Sequence, residues 1–171
     1  MEKAFRETDV QSLKESTFKL LGSDWMLITA GSIESFNTMT AAWGGLGVLW
    51  DKNVCYCFIR PQRYTYEFME KADSFTLSFF EEKYRGMLDF CGANSGRDTD
   101  KVKETGITPA GGKLSTVYFS EARLVFICRK IYFQDLIPDH FLDQSIHKNY
   151  PEKDYHRMYI GEIVSCLKKN L

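Results

Sequence analysis

The chain has 171 residues, 44% of them hydrophobic, 15% aromatic and 26% charged, with a formal net charge of −1. That is enough chain for one domain with a full hydrophobic core, expected to span residues 1–171. The balanced charge excludes nucleic-acid binding through a broad basic face, no apolar run reaches the roughly 20 residues of a membrane helix, and the first residues lack the apolar core of a signal peptide.

Residues 1–22 are mixed and polar and read as an N-terminal extension or helix. Trp25–Ala30 reads as a buried strand between glycine-rich turns. Residues 36–43 are strand-capable and are followed by Gly44, Gly45 and Gly47, which read as a flexible connection or bulge. Val54–Ile59 is the clearest strand and stops at Pro61. Proline suits a first helical turn, and Tyr64, Phe68 and Ala72 then share one helical face. Ser74–Phe79 alternates as a strand. Glu81–Cys91 is the strongest helix, with Tyr84, Met87, Leu88 and Cys91 at helical spacing. A loop over 92–98 leads to a short helix ending at Gly106. Ser115–Phe119, Ala122–Arg129 and Lys130–Gln134 predict a meander, and Tyr155–Ser165 the last strand. The pattern is mainly β and predicts an antiparallel barrel with helical inserts, not a regular βαβ sheet.

The five cysteines are odd in number and lack a secretory context, which fits reduced thiols in a cytoplasmic protein. Cys55 and Cys57, two apart on a strand, point to one face and read as buried and unreactive. None of the three histidines has helical metal-ligand spacing, so no metal site is predicted. They read as structural, with His140 the one to carry forward as a hydrogen-bonding group for a ligand edge. No nucleophile motif and no distinguished carboxylate pair is present.

Gly44-Gly45-Leu46-Gly47 fails as a dinucleotide loop, because position 50 is Trp50 and no helix follows. Asn37-Thr38-Met39-Thr40-Ala41-Ala42 combines short polar side chains with alanines that permit close backbone approach, and Trp43 adds an aromatic face. On the residues alone, an ordinary barrel strand fits this segment better than a ligand wall. Arg60-Pro61-Gln62-Arg63-Tyr64-Thr65 lies where a strand gives way to a helix, and a helix N-terminus with arginines and a hydroxyl suits a phosphate. A surface helix with solvated arginines fits those residues equally. Ser95-Gly96-Arg97-Asp98 with Lys101 makes a second candidate anion loop. Together these residues suit a flat, phosphorylated, partly apolar ligand.

The run Phe36–Trp43, the run Cys57–Thr65, Ser95–Asp98 with Lys101, and Tyr159–Val164 resemble flavin-reductase-like FMN-binding split-barrel proteins, the flavoredoxin group in particular. The resemblance runs from about Trp25 to Val164. It implies a six-stranded Greek-key split barrel with an added helical layer, a homodimer, and FMN held non-covalently near the dimer interface. It implies that Asn37, Thr38, Met39, Thr40, Ala41 and Ala42 line the flavin ring and ribityl chain, with Trp43 as a wall. Arg60, Thr65, Ser95 and Lys101 would hold the phosphate end, Tyr64 would be a further cofactor-binding residue, and His140 would approach the flavin from the later half. The activity implied is electron transfer from a reduced donor, NAD(P)H among the choices, through FMN to a small-molecule or protein acceptor. The alternative is a flavoredoxin-type carrier without turnover of its own. No nicotinamide motif names the donor.

Overall fold

The structure is a computed structural model and describes residues 4–170. Ten strands run in chain order: β1 (Phe5–Thr8), β2 (Met26–Ser32), β3 (Ser35–Ala41), β4 (Gly44–Leu49), β5 (Lys52–Ile59), β6 (Ser74–Phe79), β7 (Pro109–Gly111), β8 (Val117–Phe119), β9 (Leu124–Asp135) and β10 (Arg157–Lys169). Three α-helices lie among them: α1 (Tyr64–Lys71), α2 (Arg85–Ala93) and α3 (Lys101–Thr105). Eight strands form one antiparallel sheet in the order β3-β2-β6-β9-β10-β5-β4, with β1 paired to the end of β10. β7 and β8 form a separate ribbon.

The strand order explains the closure. β3 and β4 occupy the two ends of the order, yet only Ala42 and Trp43 separate them in the chain. Three virtual bonds reach about 11 Å at most, so the sheet must curl until its edges meet. No ladder joins β3 to β4 among the described residues, which leaves the barrel split there.

Side-chain alternation sends each strand's residues to two cores. Met26, Ile28, Leu77, Phe126, Cys128 and Tyr159 belong to the barrel interior. Leu27, Val125 and Ile127 face a second layer with Met87, Leu88 and Cys91 of α2. Both faces of β9 are thereby covered, which is why Leu124–Cys128 reads as an unbroken apolar run. Space inside is limited: a Cβ on Gly161 would stand 2.5 Å from the Phe75 ring and 2.9 Å from Cys128 Cβ.

Several expectations shift. Within residues 4–22 the structure has strand β1 and short helical turns; residues 1–3 of the expected extension lie outside the described residues. The glycine run is strand β4, and Gly44 is needed because a Cβ there would lie 2.5 Å from Tyr56 O on β5. The two meander strands over 122–134 are a single long β9, bent with β10 by two register shifts. Pro61 lies in the turn before α1, three residues ahead of its first residue.

Candidate functional site

The N-terminus of α1 opens onto a pocket of about 120 Å³, lined by Asn37, Arg63, Thr65, Asn94, Ser95 and Lys101 among others. Strand β5 ends at Ile59, and the turn over 60–63 sets Arg63 as the N-cap residue in extended conformation. No side chain caps the helix; Tyr66 N–H donates to Arg63 O at 2.9 Å, and the Tyr64 and Thr65 N–H groups, at the pocket-lining start of α1, have no intrahelical partner. The Arg63 guanidinium is half-buried and makes no hydrogen bond or ion pair among the described residues. Burial, and then the neighbouring Arg60, hold its pKa below the usual arginine range.

Two further elements shape the pocket. Asn37, from buried β3, donates its amide to Thr65 Oγ1 at 2.8 Å. Gly96 lies so close that a Cβ there would fall well inside contact distance of Asn37 Oδ1 and 2.9 Å from Cγ. Ser95 Oγ accepts from Arg97 N at 3.2 Å, which leaves its hydroxyl hydrogen to donate. Lys101 is 5% exposed, and its ammonium donates to Thr38 O at 2.7 Å and Cys91 O at 2.8 Å. Burial pulls its pKa down to about 8, opposed by the nearby Cys91 and assisted by Arg63.

The structure thus brings Asn37, Met39, Tyr64, Thr65, Ser95 and Lys101 to one pocket. Thr38 and Thr40 spend their hydroxyls on the protein: Thr38 on Thr29 and Ile28 O, Thr40 on Leu88 O of α2. What they can offer a ligand is backbone, because β3 pairs on one side only, with β2. Ala41 packs against the barrel core. Ala42 and Trp43 border a different, shallow groove of about 620 Å³ beside Phe18 and Leu21.

Two expected residues sit elsewhere. Arg60 is engaged by Asp154 at 2.7 Å and Asn149 O at 2.8 Å, with its guanidinium over the Tyr150 ring, and does not line the pocket. His140 is exposed in a turn after β9 and borders none of these clefts. The histidine beside Trp43 is His156, with ring centroids 5.2 Å apart and Nδ1 2.8 Å from Tyr150 Oη. Burial pushes its pKa down to about 4, with Arg60 adding to the effect and Asp154 opposing it. Sequence reading grouped Arg63 with Arg60 but could not tell which would be left unpaired. The signal was Asp154, an acid distant in sequence that takes Arg60 out of the site.

All five cysteines are buried free thiols, the burial of Cys55 and Cys57 as expected, and Cys55 Sγ lies 3.5 Å from Cys128 Sγ. Among the described residues no group of three or more His, Cys, Asp or Glu could hold a metal ion. No helix among them is long and apolar enough to cross a membrane.

The fold is a split antiparallel barrel with a polar pocket at the N-terminus of α1, beside the edge strand β3. The chain belongs to the family described as flavin reductase like domain, whose profile matches residues 18–170. Among solved structures it is similar to flavoredoxin from Methanosarcina acetivorans, at 20% identity and TM-score 0.67, covering 86% of this chain and 69% of that one. It is similar to an FMN-binding protein from Thermus thermophilus, at 18% identity and TM-score 0.68, covering 96% and 82%. An NADH:FAD oxidoreductase from Streptomyces globisporus aligns at 12% identity and TM-score 0.64, covering 85% and 75%. At such identities the likeness establishes the fold, the split barrel of flavin reductase-like proteins. Comparison with curated protein sequences finds no match.

Proposed function

We propose that the protein binds FMN non-covalently and serves as a flavin-dependent oxidoreductase, taking electrons from a reduced donor such as NAD(P)H. The observation that carries this reading is the unpartnered, half-buried Arg63 guanidinium at the uncapped start of α1. A buried cation without an acceptor is costly, and a phosphate supplies the acceptor. The α1 N–H groups and the Ser95 hydroxyl complete the anion cradle. FMN supplies the redox chemistry when bound, accepting two electrons from the donor and releasing them to an acceptor.

The chain's own residues bind and orient. The Asn37–Thr65 bond fixes β3 against α1, and Lys101 ties β3 to α2 through two carbonyls. β3 would offer a bound flavin the backbone groups of its free edge, and Trp43 an aromatic surface. We propose that a homodimer completes the site. Trp43, Val48 and Trp50, exposed at 50%, 68% and 56%, form an apolar band along and beside β4, the surface a second copy would cover.

The test is the visible spectrum of the purified protein after incubation with FMN and gel filtration, followed by anaerobic NAD(P)H. Retained flavin that NAD(P)H bleaches, with turnover on an added acceptor, supports the oxidoreductase. Retained flavin bleached only by a separate reductase assigns the carrier role. Protein that retains no FMN at any concentration tried refutes the proposal. The dimer is tested by sizing, and a monomer with full FMN affinity contradicts a shared site.

A further inference from the structure

We propose that Asp154, which does not border the pocket, determines its specificity: Asp154 competes with the flavin phosphate for Arg60 and holds FMN affinity below what the arginines of the 60–63 turn could deliver. The inference rests on the flavin reading above and adds to it a residue that sets the preference for the phosphorylated flavin.

Arg60 and Arg63 stand at the two ends of one turn, closed by Arg63 N donating to Arg60 O at 3.0 Å. Gln62, between them, lines the pocket. After burial, the Arg60 charge is the next influence that disfavours the charged form of Arg63, so the two cations are close neighbours. A phosphate bound at the start of α1 would lie in the field of both, yet only Arg63 is free to bond it.

What occupies Arg60 comes from the segment between β9 and β10. Asp154 Oδ2 accepts from Arg60 Nη1 at 2.7 Å and also from the Gln62 side-chain amide. Asn149 O accepts from Arg60 Nη2 at 2.8 Å. Lys153, the residue before Asp154, lies in the left-handed region with φ 54°, and its N–H closes a turn onto Tyr150 O at 3.0 Å. Strain of this kind persists only where the surroundings over-determine the backbone, and the residue it leads into is the one that meets Arg60.

The hold on Arg60 is incomplete. A carboxylate can grip a guanidinium with both oxygens. Asp154 uses Oδ2 alone, and its Oδ1 is buried with no hydrogen-bond partner among the described residues. Burial opposes ionisation of Asp154, but the bonds from Arg60 and Gln62 outweigh it and hold the carboxyl below its usual range, so the competitor is charged. A phosphate carries more charge and three acceptor oxygens. With Asp154 removed, Nη1 can turn to that phosphate while Nη2 keeps Asn149 O. Riboflavin lacks the phosphate and gains nothing, so Asp154 sets the discrimination between the two flavins.

The experiment is equilibrium binding of FMN and riboflavin to the full chain at fixed ionic strength, for the unaltered protein, Asp154→Asn, Arg60→Met and the double variant. Asparagine keeps an acceptor for Gln62 and removes the charge. Asp154→Ala, which removes the acceptor as well, repeats the measurement in a second form. The expected result is FMN bound about tenfold more tightly by each Asp154 variant, with riboflavin affinity changed by less than about twofold. In the Arg60→Met background the Asp154→Asn gain should vanish, because the cation it would release is gone. Three results overturn the inference while leaving the flavin reading intact. FMN affinity unchanged or lowered in both Asp154 variants would show that no competition exists. Equal changes for FMN and riboflavin would mark a merely structural role. A gain of the same size in the Arg60→Met background would make Asp154 a general repulsive charge and not a competitor for Arg60. Unaltered protein that binds neither flavin overturns the flavin reading itself, and this inference with it.

Discussion

Replacing Arg63 with methionine tests the site at its most exposed assumption. Methionine keeps the aliphatic stem and removes the charge. A charge-assisted bond contributes about 1.5–3 kcal/mol, so FMN should bind roughly 10- to 150-fold more weakly. Riboflavin, which lacks the phosphate, should lose less than about threefold. The structure adds a second, opposite expectation. In the free protein this guanidinium is half-buried, has no acceptor, and is disfavoured by burial and by Arg60. Its removal should therefore leave unliganded stability unchanged or raise it by up to about 1 kcal/mol. The assay is a pair of flavin titrations at about 0.1 M salt, where screening is moderate, with urea unfolding of the unliganded protein. Equal losses for FMN and riboflavin would refute the reasoning, as would destabilisation of the unliganded protein by more than about 1 kcal/mol.

Gly96→Ala should drive Asn37 off Thr65, costing about 1–3 kcal/mol and weakening both flavins, measured by urea unfolding and titration. His156 is buried neutral, with its pKa lowered from 6.5 to about 4. The unfolded chain binds the extra proton first, so this stability is present above pH 6.5 and is lost as pH falls toward 4. The full shift corresponds to about 3 kcal/mol, and about half of that remains once residual solvent screening is allowed for. His156→Phe should flatten that part of the unfolding-versus-pH curve, and an unchanged slope would place the acid sensitivity elsewhere. Native protein should leave its cysteines unlabelled by a thiol reagent over minutes, with all five appearing in denaturant, because burial raises the Cys57, Cys91, Cys128 and Cys166 thiols.

The barrel was legible where alternation or helical spacing was strong. Val54–Ile59 and Ser74–Phe79 fall within or on the observed strands, and Met87, Leu88 and Cys91 share the buried face of α2. β4 was hidden because its residues are chosen for closeness to β5 and not for side-chain packing, so its glycines read as a loop. β1 was hidden because its four residues gain their place from pairing with Cys166–Lys169, a partner about 160 positions away. At the site, local sequence identified the helix start and its cations but not how tertiary contacts would divide them. Asp154 claims Arg60, while two backbone carbonyls claim most of Lys101. Of the histidines, His140 lies on an exposed turn, while His156, just ahead of β10, lies beside Trp43.

β10 also has a temporal consequence. It lies between β9 and β5, yet it is the last of the ten strands to leave the ribosome. Roughly 100 residues separate it from β5, a delay of about 5–20 s at ordinary synthesis rates. Through that interval the nascent β5 has β4 on one side and an open edge on the other, with Cys55, Cys57 and Ile59 uncovered. The protein is thus most vulnerable to off-pathway pairing during its own translation, and chaperone demand should track β10, not the flavin site.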